Sequence, residues 1–223
     1  DGSGNTSITA ADLDGGSSDN CGSPTLSASQ TSFTCADIGA NSVTLTATDG
    51  SGNTGTCVST VTVLDTVSPV ASCQNITAYL DGAGTASIVA ADLDGGSSDN
   101  CGSPTLSASQ TSFTCANIGA NSVTLTATDG SGNTSTCSST ITVRDTVSPT
   151  ASCQNITVFL DGAGTVSIVA ADIDNGSTDN CTTVSLAASQ TSFTCADIGA
   201  NNVTLTVTDG SGNISTCSST ITV

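Results

Sequence analysis

The chain has 223 residues with one cation, Arg144, no Lys, His or Glu, and 19 Asp, for a formal net charge of −18. Phosphate recognition needs Lys and Arg, so this balance excludes nucleic acid as a partner and gives no attraction to anionic membrane surfaces. No run approaches the roughly 18 consecutive apolar residues of a membrane span, and a charged fraction of only 9% with regular apolar alternation speaks against disorder.

The sequence repeats with a period of 80: residues 1–63 and 81–143 agree at 55 of 63 positions, and the segment "AADLDGGSSDNCGSPTLSASQTSFTC" at 90–115 recurs from 10 and returns from 170 in altered form. A fixed period of this length indicates an array of small units, each contacting mainly its neighbours. The Pro-containing segments "LDTVSPVASC" (64–73) and "RDTVSPTASC" (144–153) interrupt polar stretches between strand-like runs, as expected of linkers and edge-strand starts. Cutting there predicts complete domains at 65–144 and 145–223 and a partial one at 1–64 that lacks its first strand.

In chain order, the repeat 65–144 predicts a strand over 71–80, another over 85–91, a short two-strand region over 104–114, and long strands over 121–128 and 135–143. In the fourth, Val123, Leu125 and Ala127 alternate with Thr124, Thr126 and Thr128. One apolar and one Thr face is the pattern of a two-sheet sandwich with a solvated exterior. The expected fold is all-β: tandem two-sheet sandwiches of about 80 residues in a linear array.

Eleven Cys fall at one spacing in each repeat. The nearest are 14 apart and His is absent, which argues against zinc and for disulfides in an oxidising, extracellular setting. Four Cys per repeat allow three pairings. The favoured one closes the short excursion (Cys101–Cys115, Cys21–Cys35, Cys181–Cys195) and ties first strand to last (Cys73–Cys137, Cys153–Cys217). It leaves Cys57 to a Cys expected before residue 1, as if the array continued there.

The segment "DLDGGSSDNC" at 92–101 crowds Asp92, Asp94 and Asp99, with copies Asp12, Asp14, Asp19 and Asp172, Asp174, Asp179. Hard oxygens at alternate positions with Gly for the turn suit calcium; magnesium prefers fewer carboxylates and more water. The chemistry is that of an EF-hand opening, without its closing Glu or flanking helices. Chain reversal between the first two strands brings linker Asp65 or Asp145 to the same end, together with the "DGSGN" Asp of the last hairpin, Asp49, Asp129 or Asp209. That pentapeptide is equally a turn signature. Calcium is therefore the expected cofactor, at the junctions. Sequons at Asn75, Asn133, Asn155, Asn202 and Asn213 are candidate glycosylation sites.

The opening "DTVSPVASCQNIT" and the ending "IGANSVTLTATDGSGNTSTCSSTITV" resemble hyalin (HYR-like) repeats and related bacterial immunoglobulin-like modules of secreted and surface proteins. Gln74, where Pro often follows the first Cys, departs from that pattern. The resemblance implies tandem immunoglobulin-like β-sandwich domains, an extracellular or cell-surface location, and an adhesive or structural role without catalytic residues. The expected function is a calcium-stiffened, disulfide-stapled segment of a stalk, adhesin shaft or filament, with neighbouring repeats, or identical chains in a filament, as partners. The alternative is a module that binds glycan or ice through Thr-rich faces, although Thr is in any case a good exposed strand residue. Without His, Lys, Glu or Met, general acid–base chemistry would fall to Asp alone, which argues against an enzyme.

Overall fold

A computed structural model describes residues 2–181 and 183–223. The first repeat holds strands β1 (Asn5–Ser7), β2 (Thr25–Ala28), β3 (Ser32–Thr34), β4 (Gly39–Thr48) and β5 (Thr54–Val63). The second holds β6 (Ile76–Tyr79), β7 (Thr85–Ser87), β8 (Thr105–Ala108), β9 (Ser112–Thr114), β10 (Gly119–Thr128) and β11 (Thr134–Arg144). The third holds β12 (Ile156–Thr157), β13 (Thr165–Ser167), β14 (Ser185–Ala188), β15 (Ser192–Thr194), β16 (Ala200–Thr208) and β17 (Ile214–Thr222). The fold is all-β; the helical turns among the described residues are short 3₁₀ segments such as Ala90–Leu93 and Cys115–Asn117.

Two compact units divide the chain. The first takes in the chain up to Cys73 with Asp94–Ala108 and Thr124–Ser138; the second takes in Gln74–Leu93, Ser109–Val123 and Ser139–Val223. Each unit thus gathers one terminal block of the sequence, 1–64 or 145–223, and part of the middle repeat.

The second unit shows the sandwich in full. One sheet has the order β12-β17-β16-β14 and the other pairs β13 with β15. β16 and β17 form a long antiparallel hairpin from Ala200↔Thr222 to Thr208↔Ile214, β14 joins β16 antiparallel, and β12 joins β17 in parallel through Ile156↔Ile221. Period-2 alternation sends Val203, Leu205 and Val207 inward with Ile221, where they meet Ile168, Ile173 and Phe193. The same unit holds the parallel pair β6–β11 (Ile76↔Ile141) and the antiparallel pair β7–β9. In the first unit, β2-β4-β5 form one sheet, β1 pairs with β3, and β8 pairs with the end of β10.

The strands depart from expectation at their ends. The strand expected over 71–80 is regular only from Ile76 to Tyr79, and Cys73 makes an isolated bridge with Asp94 instead. It also joins the sheet of β11 rather than pairing with β7. The strand expected over 85–91 stops at Ser87, and the chain soon turns into Ala90–Leu93, where the Asp92 carboxylate accepts the Val89 N–H at 2.8 Å. Asx-type capping competes with the sheet ladder and wins here.

Each repeat centres on one buried Phe: Phe33, Phe113 and Phe193 are each at most 1% exposed, amid small aliphatics. With so little else to fill the space, Phe193→Ala should destabilise the third repeat by about 3–5 kcal/mol, read as a lower midpoint in urea denaturation. A loss below about 1 kcal/mol would mean that the core collapses around the cavity.

Candidate metal centre

The last hairpin of each repeat turns at Asp-Gly-Ser-Gly-Asn. In the middle repeat the Asp129 carboxylate accepts the Ser131 and Asn133 N–H groups at 2.9 and 2.8 Å and the Asn133 side-chain amide at 2.7 Å. That amide also donates to the Asp65 and Val67 carbonyls at 3.1 and 3.4 Å. The hairpin turn thereby grips the linker. The copy is Asn213, which donates to Asp209, Asp145 O and Val147 O at 2.8, 3.3 and 3.3 Å. Burial pushes the Asp129 carboxyl up, but the Asn133 amide and the turn N–H groups outweigh it and hold it below the usual carboxylate range.

Two clusters result: Asp65, Asp99 and Asp129, and Asp145, Asp179 and Asp209, each with one carboxylate oxygen per residue and all within 4.8 Å of one another. Asp129, Asp145 and Asp209 are 8%, 6% and 7% exposed. Asp65 and Asp145 spend one oxygen on a linker N–H (Val67 and Val147, both 3.1 Å). Asp99 and Asp179 spend one on the N–H two residues on (Cys101 and Cys181, 2.9 and 3.0 Å). The other oxygen of each of these four carboxylates is buried without a hydrogen-bond partner, as is Asn180 Oδ1. Buried acceptors left unpaired are costly, and like charges at this spacing repel. Oxygens sharing one calcium at about 2.4 Å can lie no more than about 4.8 Å apart, so the donor set fits a hard divalent cation.

The remaining Asp residues of the "DLDGGSSDNC" segment lie outside these clusters and close turns. Asp92 and Asp172 cap Val89 and Val169 N–H at 2.8 and 2.7 Å, and Asp12 does the same for Thr9 at 2.6 Å. Asp94 and Asp174 accept Ser177-type donors: the Ser97 N–H at 2.8 Å and the Ser177 N–H at 3.0 Å. The Ser97 and Ser177 hydroxyls, followed by other contacts, hold Asp94 and Asp174 below the usual range. Asp14 is closed onto Ser17 in the same way. In the first repeat Asp19 accepts the Cys21 N–H and Asp49 holds its own turn through Asn53. Neither belongs to a metal-sized cluster among the described residues.

The short-loop disulfides expected at Cys21–Cys35, Cys101–Cys115 and Cys181–Cys195 are replaced by Cys35–Cys101 and Cys115–Cys181, bridging successive repeats at separations of 66 residues. The reason is topological. β14 pairs beside Thr208 and β15 ends beside Thr165, so the strands carry the chain from the Asp209 end of the repeat to the Gly164 end before Cys195 is reached. Cys73–Cys137 and Cys153–Cys217 close within their repeats, and Cys21, Cys57 and Cys195 are exposed thiols. Among the sequon residues, Asn133 and Asn213 are committed to the linker grip. Asn75 and Asn155 each accept a strand N–H (Thr140 and Thr220, 2.8 Å), and Asn202 accepts the Ser218 hydroxyl at 2.7 Å.

No protein-family model matches the sequence, and no curated protein does. Among solved structures the chain is similar to extracellular cadherin domains 1–4 of protocadherin gamma B7 (16% identity, 92% of this chain and 66% of that one, TM-score 0.35). It is similar also to the protocadherin gamma B4 extracellular domain (14%, 90% and 43%, 0.35) and to a variant three-immunoglobulin-domain segment of titin (13%, 90% and 82%, 0.35). The chain thus spans 66% and 43% of the two protocadherin chains.

The Asn133 grip makes a pH prediction. A carboxyl depressed in the folded state contributes stability that is complete above its unfolded value, about 3.9, and is lost as pH falls through the lower folded value. Asn133→Ala should therefore raise the Asp129 pKa and move the onset of acid unfolding to higher pH, followed by carboxyl NMR shifts; an unmoved Asp129 titration would show that the amide is not its main partner.

Proposed function

We propose that this chain is a structural segment of an extracellular array, a stalk, adhesin shaft or filament, whose junctions are stiffened by calcium and stapled by disulfides. The observation that carries the reading is the pair of Asp clusters spaced 80 residues apart, each with one oxygen per residue within 4.8 Å of the others and with two of its three Asp holding a buried, unpartnered oxygen. A chain with one cation and a net charge of −18 cannot neutralise them from within. In each cluster the first Asp comes from the linker, the second from the loop before the short strands, and the third from the last hairpin. Calcium bound there supplies neutralising charge and cross-links three segments, so the linker loses its freedom to swing.

Repeat boundaries at 64/65 and 144/145 belong to this proposal, since they place one cluster at the start of each complete repeat. Four disulfides favour an oxidising, extracellular location. Near-identical copies suit a role in which no copy is specialised, with neighbouring repeats as partners and identical chains where such segments assemble.

Titration calorimetry on the intact chain should find two calcium ions per chain, with magnesium binding more weakly. Saturating calcium should raise the melting temperature by at least about 5 °C, and chelation should reverse it. Asp65→Asn with Asp99→Asn should remove one ion and Asp145→Asn with Asp179→Asn the other. No heat of binding at millimolar calcium would overturn the reading.

A further inference from the structure

Asp179, Asn180 and Cys181 are consecutive, and each does something different at one place. Asp179 gives an oxygen to the cluster with Asp145 and Asp209, and its other oxygen holds the Cys181 N–H at 3.0 Å. The Asn180 amide donates to the Asp81 carbonyl of the preceding repeat at 2.9 Å and to Asp145 Oδ1 at 3.4 Å, while its Oδ1 is buried and unpartnered. Cys181 is bonded to Cys115 of the preceding repeat. The contact is close: at Gly84, whose φ of +72° already disfavours a side chain, an added Cβ would lie 2.5 Å from Cys115 Sγ and 3.0 Å from the Asn180 carbonyl oxygen. The first junction repeats the covalent part, with Cys35 bonded to Cys101 two residues after Asp99.

Resting on the reading that the clusters bind a divalent cation, we propose that Asn180 is a further ligand of the Asp145/Asp179/Asp209 site and that the Cys115–Cys181 disulfide sets its affinity. The disulfide holds the loop in the conformation that binding requires. Without it, part of the binding energy goes into ordering Asp179 and Asn180, and the apparent dissociation constant rises as the competent fraction falls. Coupling between linked sites typically spans about 5- to 150-fold and is reciprocal. Calcium therefore protects this bond by the same factor. A dithiol that reduces it is converted to its cyclic disulfide and leaves thiols at Cys115 and Cys181.

The test uses the full chain with the first cluster silenced by Asp65→Asn and Asp99→Asn, so that calorimetry reads one site. Adding Cys115→Ser with Cys181→Ser should weaken calcium binding about tenfold or more, and Asn180→Ala should weaken it severalfold with the disulfide intact. In the reciprocal arm, equilibration with dithiothreitol and its cyclic disulfide should leave more Cys115–Cys181 oxidised in calcium, by the same factor, read by alkylation and mass spectrometry. A companion chain with Asp145→Asn and Asp179→Asn should keep its first-site affinity when Cys115 and Cys181 are replaced, which distinguishes a local latch from loss of fold. Calcium affinity unchanged by the serine pair would overturn the coupling, and affinity unchanged by Asn180→Ala would overturn the ligand. A wild-type chain that binds no calcium would instead sink the metal reading beneath both.

Discussion

Four buried carboxylate oxygens with no hydrogen-bond partner, two at each junction, on residues that each bring a carboxylate oxygen within 4.8 Å of two others, set the constraint around which this protein is organised. Proteins ordinarily satisfy such groups with Lys, Arg or backbone N–H groups. Here the N–H groups are already used, one per carboxylate, and the chain has a single Arg and no Lys. The chain therefore has almost no positive charge of its own to set against them. An acidic surface of this kind also repels itself, and the cation proposed for each junction would relieve local and long-range repulsion together.

The architecture places those oxygens with very little material. Each repeat buries one Phe and a handful of Val, Leu and Ile between two sheets, a thin core for a unit of this size. Precision at the junction comes from short-range devices: the Asn133 and Asn213 side chains clamping hairpin to linker, Asx turns rigidifying the Asp92 and Asp94 loop, and a disulfide two residues beyond the second Asp of each cluster. The chain divides into compact units that each take one terminal block of the sequence together with part of the middle repeat.

Much of this was legible beforehand. Alternation in "NSVTLTAT" placed Val123, Leu125 and Ala127 in the core, and all three are fully buried. The linker, loop and hairpin Asp residues were expected at one end, and Asp65, Asp99 and Asp129 meet there. The D-x-D spacing that pointed to Asp92 and Asp94 misled, because an Asp beside a Ser or at the start of a tight turn finds local N–H groups first. The roles of Asn133, Asn180 and their copies were missed. Asn after Asp-Gly-Ser-Gly reads as turn chemistry, and nothing local says that its amide will reach a linker 66 or 68 residues away.

Sequence alone determined the period and the all-β class, because composition and alternation are summed over many residues and survive local error. The disulfide partners and the grouping of the Asp side chains were decided only by the tertiary structure. Chain entropy favours the nearest cysteine, but two short strands carry Cys195 away from Cys181 and the Cys115 of the preceding repeat lies against it instead. The same geometry separates Asp94 from Asp99, turning one inward to Ser97 and the other toward the linker. Pairing across a repeat boundary is a property of three-dimensional register, which residue spacing along the chain does not encode.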